Sequence, residues 1–99
     1  MKILIDFDGV ICKRNGIPTK EGFGRQMPGA RDSIILFKKL GHMVKVFTSN
    51  PEPEKVRLWL DRYNFPKLEI TDIKEPCNII IDDRAIRFTN WQDIRKYIH

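Results

Sequence analysis

Four aspartates stand where short apolar runs break off. Asp6 and Asp8 close the segment I-D-F-D-G-V, two residues apart, with Gly9 directly after them to let the backbone turn. Asp82 and Asp83 follow Ile79, Ile80 and Ile81 side by side, where mutual repulsion is costly unless a cation or an ammonium group compensates it. Such a set of carboxylates is a hard-oxygen site of the kind Mg²⁺ prefers, with the remaining positions left for water and a substrate phosphate. Thr48 and Ser49 end another apolar run and offer hydroxyls to phosphoryl oxygens, while Lys74 lies ahead of Asp82 as a balancing cation. Carboxylate nucleophile, metal, hydroxyl and lysine together describe phosphoryl transfer. Calcium binding of the EF-hand type, which also begins D-x-D, is excluded because its fifth, sixth and twelfth positions would be Val10, Ile11 and Ile17.

Other residues carry weaker chemistry. Arg84 and Arg87 follow the acidic pair and either contact a phosphate or sugar or pair with Asp82, Asp83 or a helix terminus. His42 and His99 lack a ligand-spaced partner and read as surface or terminal residues. Cys12 reads as an inert thiol, since a carboxylate already supplies the nucleophile. Trp59 and Trp91 stand at helical spacing among aliphatic residues and are expected in the core rather than as base-stacking platforms. Gly22 and Gly24 neither complete G-x-G-x-x-G nor follow a strand, which excludes a dinucleotide fingerprint.

Short β-branched runs that stop at polar residues read as buried parallel strands, covered on both faces. These are Ile3 to Ile5, Val44 to Phe47 and Ile79 to Ile81, with Leu68 to Thr71 a weaker fourth. Between them, Ala30, Ile34, Phe37 and Leu40 recur at helical spacing after Pro28 and before Gly41, and Val56, Trp59, Leu60 and Tyr63 do so after Pro51 and Pro53. Thr89 with Gln92 has the form of a capping box for a last helix that carries Trp91, Ile94 and Ile98 on one face. The order β, loop, α, β, α, β, β, α implies right-handed crossovers and an open α/β sheet, with its ligand crevice at the carboxyl ends of the strands. Every polar cluster named above sits at such an end.

A chain of 99 residues, 41% hydrophobic and 31% charged, is one foldable domain with no room for a separate substrate domain. Its formal charge of +5 favours anionic ligands. The two cysteines, Cys12 and Cys77, form neither a disulfide framework nor a C-x-x-C pair, which points to a reducing cytoplasm. The opening MKILIDFDGV meets carboxylates too early for a signal peptide or a membrane span.

Taken in order, these motifs resemble the haloacid dehalogenase superfamily of Mg²⁺-dependent phosphohydrolases. The family's D-x-D-G-[TV] after an apolar strand matches Ile3 to Val10, and its strand ending in Thr or Ser matches Val44 to Thr48. Its lysine before the last core strand matches Lys74, and its strand ending in D-D matches Ile79 to Asp83. The stretch I-D-D-R-A-I is also similar to a subgroup of small uncharacterised phosphatases of that superfamily. The resemblance covers essentially the whole chain.

It implies a three-layer Rossmann-like core, a parallel sheet of about four strands flanked by helices, as a single capless domain over 1–99. It implies Asp6 as the nucleophile that forms an aspartyl-phosphate, and Asp8 as the acid that protonates the leaving alkoxide and then activates water. Thr48 would bond the transferring phosphoryl group and Lys74 would neutralise it. Asp6, the Asp8 backbone carbonyl, Asp82 and Asp83 would form the Mg²⁺ shell, with Asp83 favoured over Asp82 as the direct ligand. The segment Ile11 to Met27 is too short for the cap of many relatives and is expected as a hairpin flap presenting Lys13, Arg14, Lys20 and Arg25 to an anion. Ser49, Arg84 and Arg25 complete the expected substrate contacts.

The substrate is then a phosphomonoester, either an open-site ligand such as a polynucleotide end or a small molecule whose site a second subunit would cover in a homo-oligomer. The other readings are a 5'-nucleotidase-like enzyme acting on (deoxy)nucleoside monophosphates, and a non-catalytic module that binds phosphate or nucleic acid.

Overall fold

A computed structural model describes residues 1–14 and 22–98. The chain runs β1 (Lys2–Asp6), α1 (Ala30–Lys39), β2 (Met43–Phe47), α2 (Pro53–Arg62), β3 (Glu69–Thr71), β4 (Ile79–Ile81) and α3 (Trp91–Arg95). The four strands form one all-parallel sheet in the order β3-β2-β1-β4. Lys20 and His99 lie outside the described residues.

Both long helices end as their sequences require. After α1, Gly41 adopts φ +90°, and the N–H groups of Gly41 and His42 close onto the carbonyls of Lys38 and Phe37 at 3.0 and 3.1 Å. After α2, Asn64 takes the same role at φ 59°, with Asn64 and Phe65 donating to Asp61 and Leu60. The apolar stripes of the two helices, Ile34 on one and Val56, Trp59 and Leu60 on the other, join Ile3, Ile5, Val44 and Val46 in a single core. Successive crossovers in one direction, from β1 to β2 to β3, put both helices on the same sheet face.

The opposite face departs from the three-layer expectation. No helix joins β3 to β4; residues 72–78 cross the sheet instead, and Glu75 sits between Lys2 and Lys45, 3.0 Å from the latter, which also reaches Glu69 at 2.9 Å. Leu4, fully buried, is the apolar centre of this face, while Ile79 and Ile80 on the edge strand stay 40% and 38% exposed. Burial on both faces is thus confined to the middle of the sheet. α3 does not complete a layer, because none of its side chains is buried, and Trp91 is 68% exposed with its ring edge-on to Phe88. Of the two tryptophans only Trp59 is core. The cap of α3 is Asn90, whose side chain accepts the Asp93 N–H at 2.9 Å; Thr89 bonds the Asp93 carboxylate instead. Leu40 lies past the last turn of α1 and is exposed. Among the described residues no helix is long and apolar enough to cross a membrane.

Candidate functional site

Asp6 is the last residue of a strand paired on both sides, with Phe47 beside it on β2 and β4 ending one position short of it, at Ile81 beside Ile5. The strand order changes direction around β1, so the crevice expected at a topological switch point opens here. Asp82 and Asp83 leave β4 at the same level. One oxygen of each of Asp6, Asp82 and Asp83 lies within 4.8 Å of the others.

The turn after β1 is held by its own backbone. The Ile11 and Cys12 N–H groups donate to the Phe7 carbonyl at 3.0 and 2.9 Å, and the Gly9 N–H donates to the Cys12 carbonyl at 2.7 Å. Gly9 has φ +84°, and a Cβ there would fall 2.1 Å from Asp83 Oδ2, so the backbone can approach the acid pair this closely only without a side chain. The half-buried Asp8 follows from this turn, and its carboxylate is not one of the three that converge.

Asp82 and Asp83 are held differently. Asp82 Oδ1 accepts the N–H groups of Arg84 and Ala85 at 2.6 and 3.1 Å, folding the chain back after β4. Asp83 is gripped at both oxygens by Arg14, Nε to Oδ2 at 2.8 Å and Nη2 to Oδ1 at 3.1 Å. That grip holds the Asp83 carboxyl below the usual aspartate range. Asp6 is pushed the other way, first by burial and then by the negative charge of Asp82 and Asp83.

The expected flap is visible at its base. Residues 11–13 pair antiparallel with 25–27, through Lys13 N–H to the Arg25 carbonyl and Met27 N–H to the Ile11 carbonyl, both 2.8 Å. Trp59 Nε1 donates to the Gly24 carbonyl at 2.9 Å, and the rings of Phe23 and Trp59 each pack edge-on against Phe7 at 5.1 Å. The flap base is therefore anchored to α2 and to the residue after Asp6. Cys12 lies within it, buried, its thiol directed at the Gly24 carbonyl and its pKa pushed up to about 11 by burial.

Thr48 and Ser49 occupy the neighbouring strand end. Thr48 is buried, extends the β2–β3 pairing by donating its N–H to the Thr71 carbonyl, and accepts the Asn50 N–H on its hydroxyl at 3.2 Å. Both residues line a cleft of about 360 Å³ with Asn50, Thr71 and Asp72. Lys74 is exposed and shares a second cavity, of about 200 Å³, with Asp82, Ala85 and the apolar side chains of Leu4, Phe47 and Ile80. Arg84 and Arg25 are exposed and contribute the backbone bonds already described. Arg87 is exposed.

Among the described residues the cation hydrogen-bonded to the acid cluster is therefore Arg14 from the flap; Arg84 acts on Asp83 only through its charge. The sequence signal for Arg14 is modest: Lys13 and Arg14 directly follow the apolar run after D-F-D-G, which returns the first charged flap residues to the strand ends. The converging groups offer oxygen alone, the donor type taken by hard divalent cations, and Gly9 leaves the close approach that such a cluster needs. A divalent ion held by such carboxylates, with hydroxyl donors and cations nearby, could polarise a phosphoryl group and receive the negative charge that develops on it. Protein-family models, curated proteins and solved structures yield no match to this chain.

Proposed function

We propose that this chain is a Mg²⁺-dependent phosphomonoesterase of the haloacid dehalogenase type, without a cap domain. One observation carries the reading: Asp6, on the central strand, meets Asp82 and Asp83 from the far end of the chain at the switch point of a parallel sheet. The residues that would hold the ion are Asp6, Asp82 and Asp83 together with the Asp8 backbone carbonyl. When bound, the ion supplies positive charge to the phosphoryl oxygens.

The remaining chemistry belongs to the side chains. An Asp6 oxygen attacks phosphorus, the bond to the ester oxygen breaks, and the departing alkoxide takes a proton from Asp8. Water then attacks the aspartyl-phosphate, Asp8 takes its proton back, and Asp6 and inorganic phosphate are released. Asp8 stands outside the converging carboxylates, which leaves it free to face the leaving group. Lys74 shares a cavity with Asp82, and Thr48 and Ser49 follow the neighbouring strand β2; these are the donor types a transferring phosphoryl group needs.

Hydrolysis of an aryl phosphate with and without Mg²⁺ tests the reading. The expected result is metal-dependent turnover that disappears in Asp6→Asn and falls roughly 10²–10⁴-fold in Asp8→Asn. Wild-type protein no faster than Asp6→Asn across a broad panel of phosphate esters overturns it.

A further inference from the structure

Arg14 differs from the other basic residues of the flap base in what it touches. Its guanidinium meets both oxygens of Asp83 at 2.8 and 3.1 Å, in the fork geometry that matches a carboxylate at two points. The pair is 69 positions apart in the chain, so it ties the flap to the loop after β4 rather than stabilising either one locally. Gly9 lies directly beneath it: a Cβ there would stand 2.7 Å from Arg14 Nε and 2.1 Å from Asp83 Oδ2. Arg14 follows Lys13, whose N–H donates to the Arg25 carbonyl; Arg14 holds Asp83 through its side chain alone, so that side chain can leave Asp83 without breaking this backbone bond.

We infer that Arg14 is a resident competitor for the metal carboxylate Asp83, and that a divalent ion must take Asp83 from it, releasing the guanidinium toward an incoming anion. The inference rests on the metal site proposed above. A carboxylate with both oxygens engaged by one guanidinium offers a cation only its remaining lone pairs and a partly neutralised charge, so the two partners compete for it. The coupling is reciprocal: whatever Arg14 gains from Asp83 is subtracted from the affinity for the ion, and the bound ion weakens the tie between flap and β4 loop by the same factor. Arg14 is thus a positioning residue that sets metal affinity. The pair is about one-third exposed at each side chain, which keeps its strength in the range of a well-formed surface ion pair and leaves the exchange accessible.

Mn²⁺ binding followed by the loss of the free-ion paramagnetic resonance signal tests this without reference to turnover. Arg14→Ala is expected to bind Mn²⁺ roughly three- to tenfold more tightly than wild type. Arg14→Lys, which keeps the charge and loses the two-point grip, is expected between the two. Unchanged or weaker binding in Arg14→Ala overturns the inference while wild-type affinity leaves the metal site standing. Tighter binding in Arg14→Ala with wild-type affinity in Arg14→Lys also overturns it, because charge alone then explains the gain. Wild-type binding that is absent, or unaffected by Asp83→Asn, removes the metal site and the inference together.

Discussion

At Gly9 a single hydrogen atom decides two things at once, the left-handed turn that ends the first strand and the clearance under Asp83. Gly9→Ala is expected to lose about 1–2 kcal/mol from the left-handed backbone alone, with a further loss as Asp83 and Arg14 are pushed apart, read by urea unfolding. Asp6 carries a cost of the opposite kind. Its folded-state pKa is raised above 3.8 by burial and by its acidic neighbours, so the charged form disfavours folding at neutral pH and the penalty vanishes as the pH falls below 3.8. Asp6→Asn should therefore melt at a higher temperature than wild type at pH 7, with the gap closing in acid, while losing activity; equal melting temperatures at pH 7 would refute this. Cys12, with its thiol pKa near 11, should resist iodoacetamide at pH 8 while the half-exposed Cys77 reacts, as peptide mass mapping would show. The aspartates and Thr48 were legible in sequence because each one ends an apolar run, and a polar residue at a buried strand's end leaves a local mark. The Arg14–Asp83 pair was not, because a contact between side chains far apart in sequence leaves no periodic trace.

Among the elements, α1 and α2 were readable from apolar spacing and punctuation, Pro28 and Gly41 around the first and Pro51 and Pro53 before the second, whereas the left-handed Asn64 that ends α2 was not read. α3 was misread for a physical reason. Five residues with no buried face are too short for packing to select a register, so the cap depends on which side chain reaches Asp93 N–H, and Asn90 does so from the position after Thr89. Trp59 links the elements to the flap. Trp59→Ala should cost about 3–5 kcal/mol in stability. Trp59→Phe retains most of the ring but removes the donor to Gly24, and should cost about 1–3 kcal/mol. Its specific signature is faster hydrogen exchange at the Lys13 and Met27 amides, which close the flap base; unchanged exchange there would show that the indole bond does not hold the flap.

For the molecule as a whole, the strap between β3 and β4 replaces a helical layer with charge. Glu75 is held below its ordinary carboxyl value of 4.5, by hydrogen bonds from Lys2 first and from Lys45 next. A depressed folded-state pKa means that its contribution is present above 4.5 and is lost as the pH falls through the lower folded value. The melting difference between wild type and Glu75→Gln should be constant near neutrality and shrink below pH 4.5; a difference independent of pH would remove the ion network from the account. That network could not be read in sequence, where the strand runs predicted apolar cover on both faces and the side chains of Lys2 and Lys45 gave no sign of a shared partner.

The position of β4 has a kinetic meaning as well. Among the described residues it pairs only with β1, its entry clamped by Asn78, whose side chain accepts the Lys2 N–H across 76 positions. Closing so long a loop is entropically slow relative to forming the neighbouring β1-α1-β2-α2 contacts. During folding, the helical layer and the strand bearing Asp6 can assemble before β4 docks, and Asp82 and Asp83 arrive only with that last strand. A form of the chain with β4 undocked would hold Asp6 on its strand without Asp82 and Asp83 beside it.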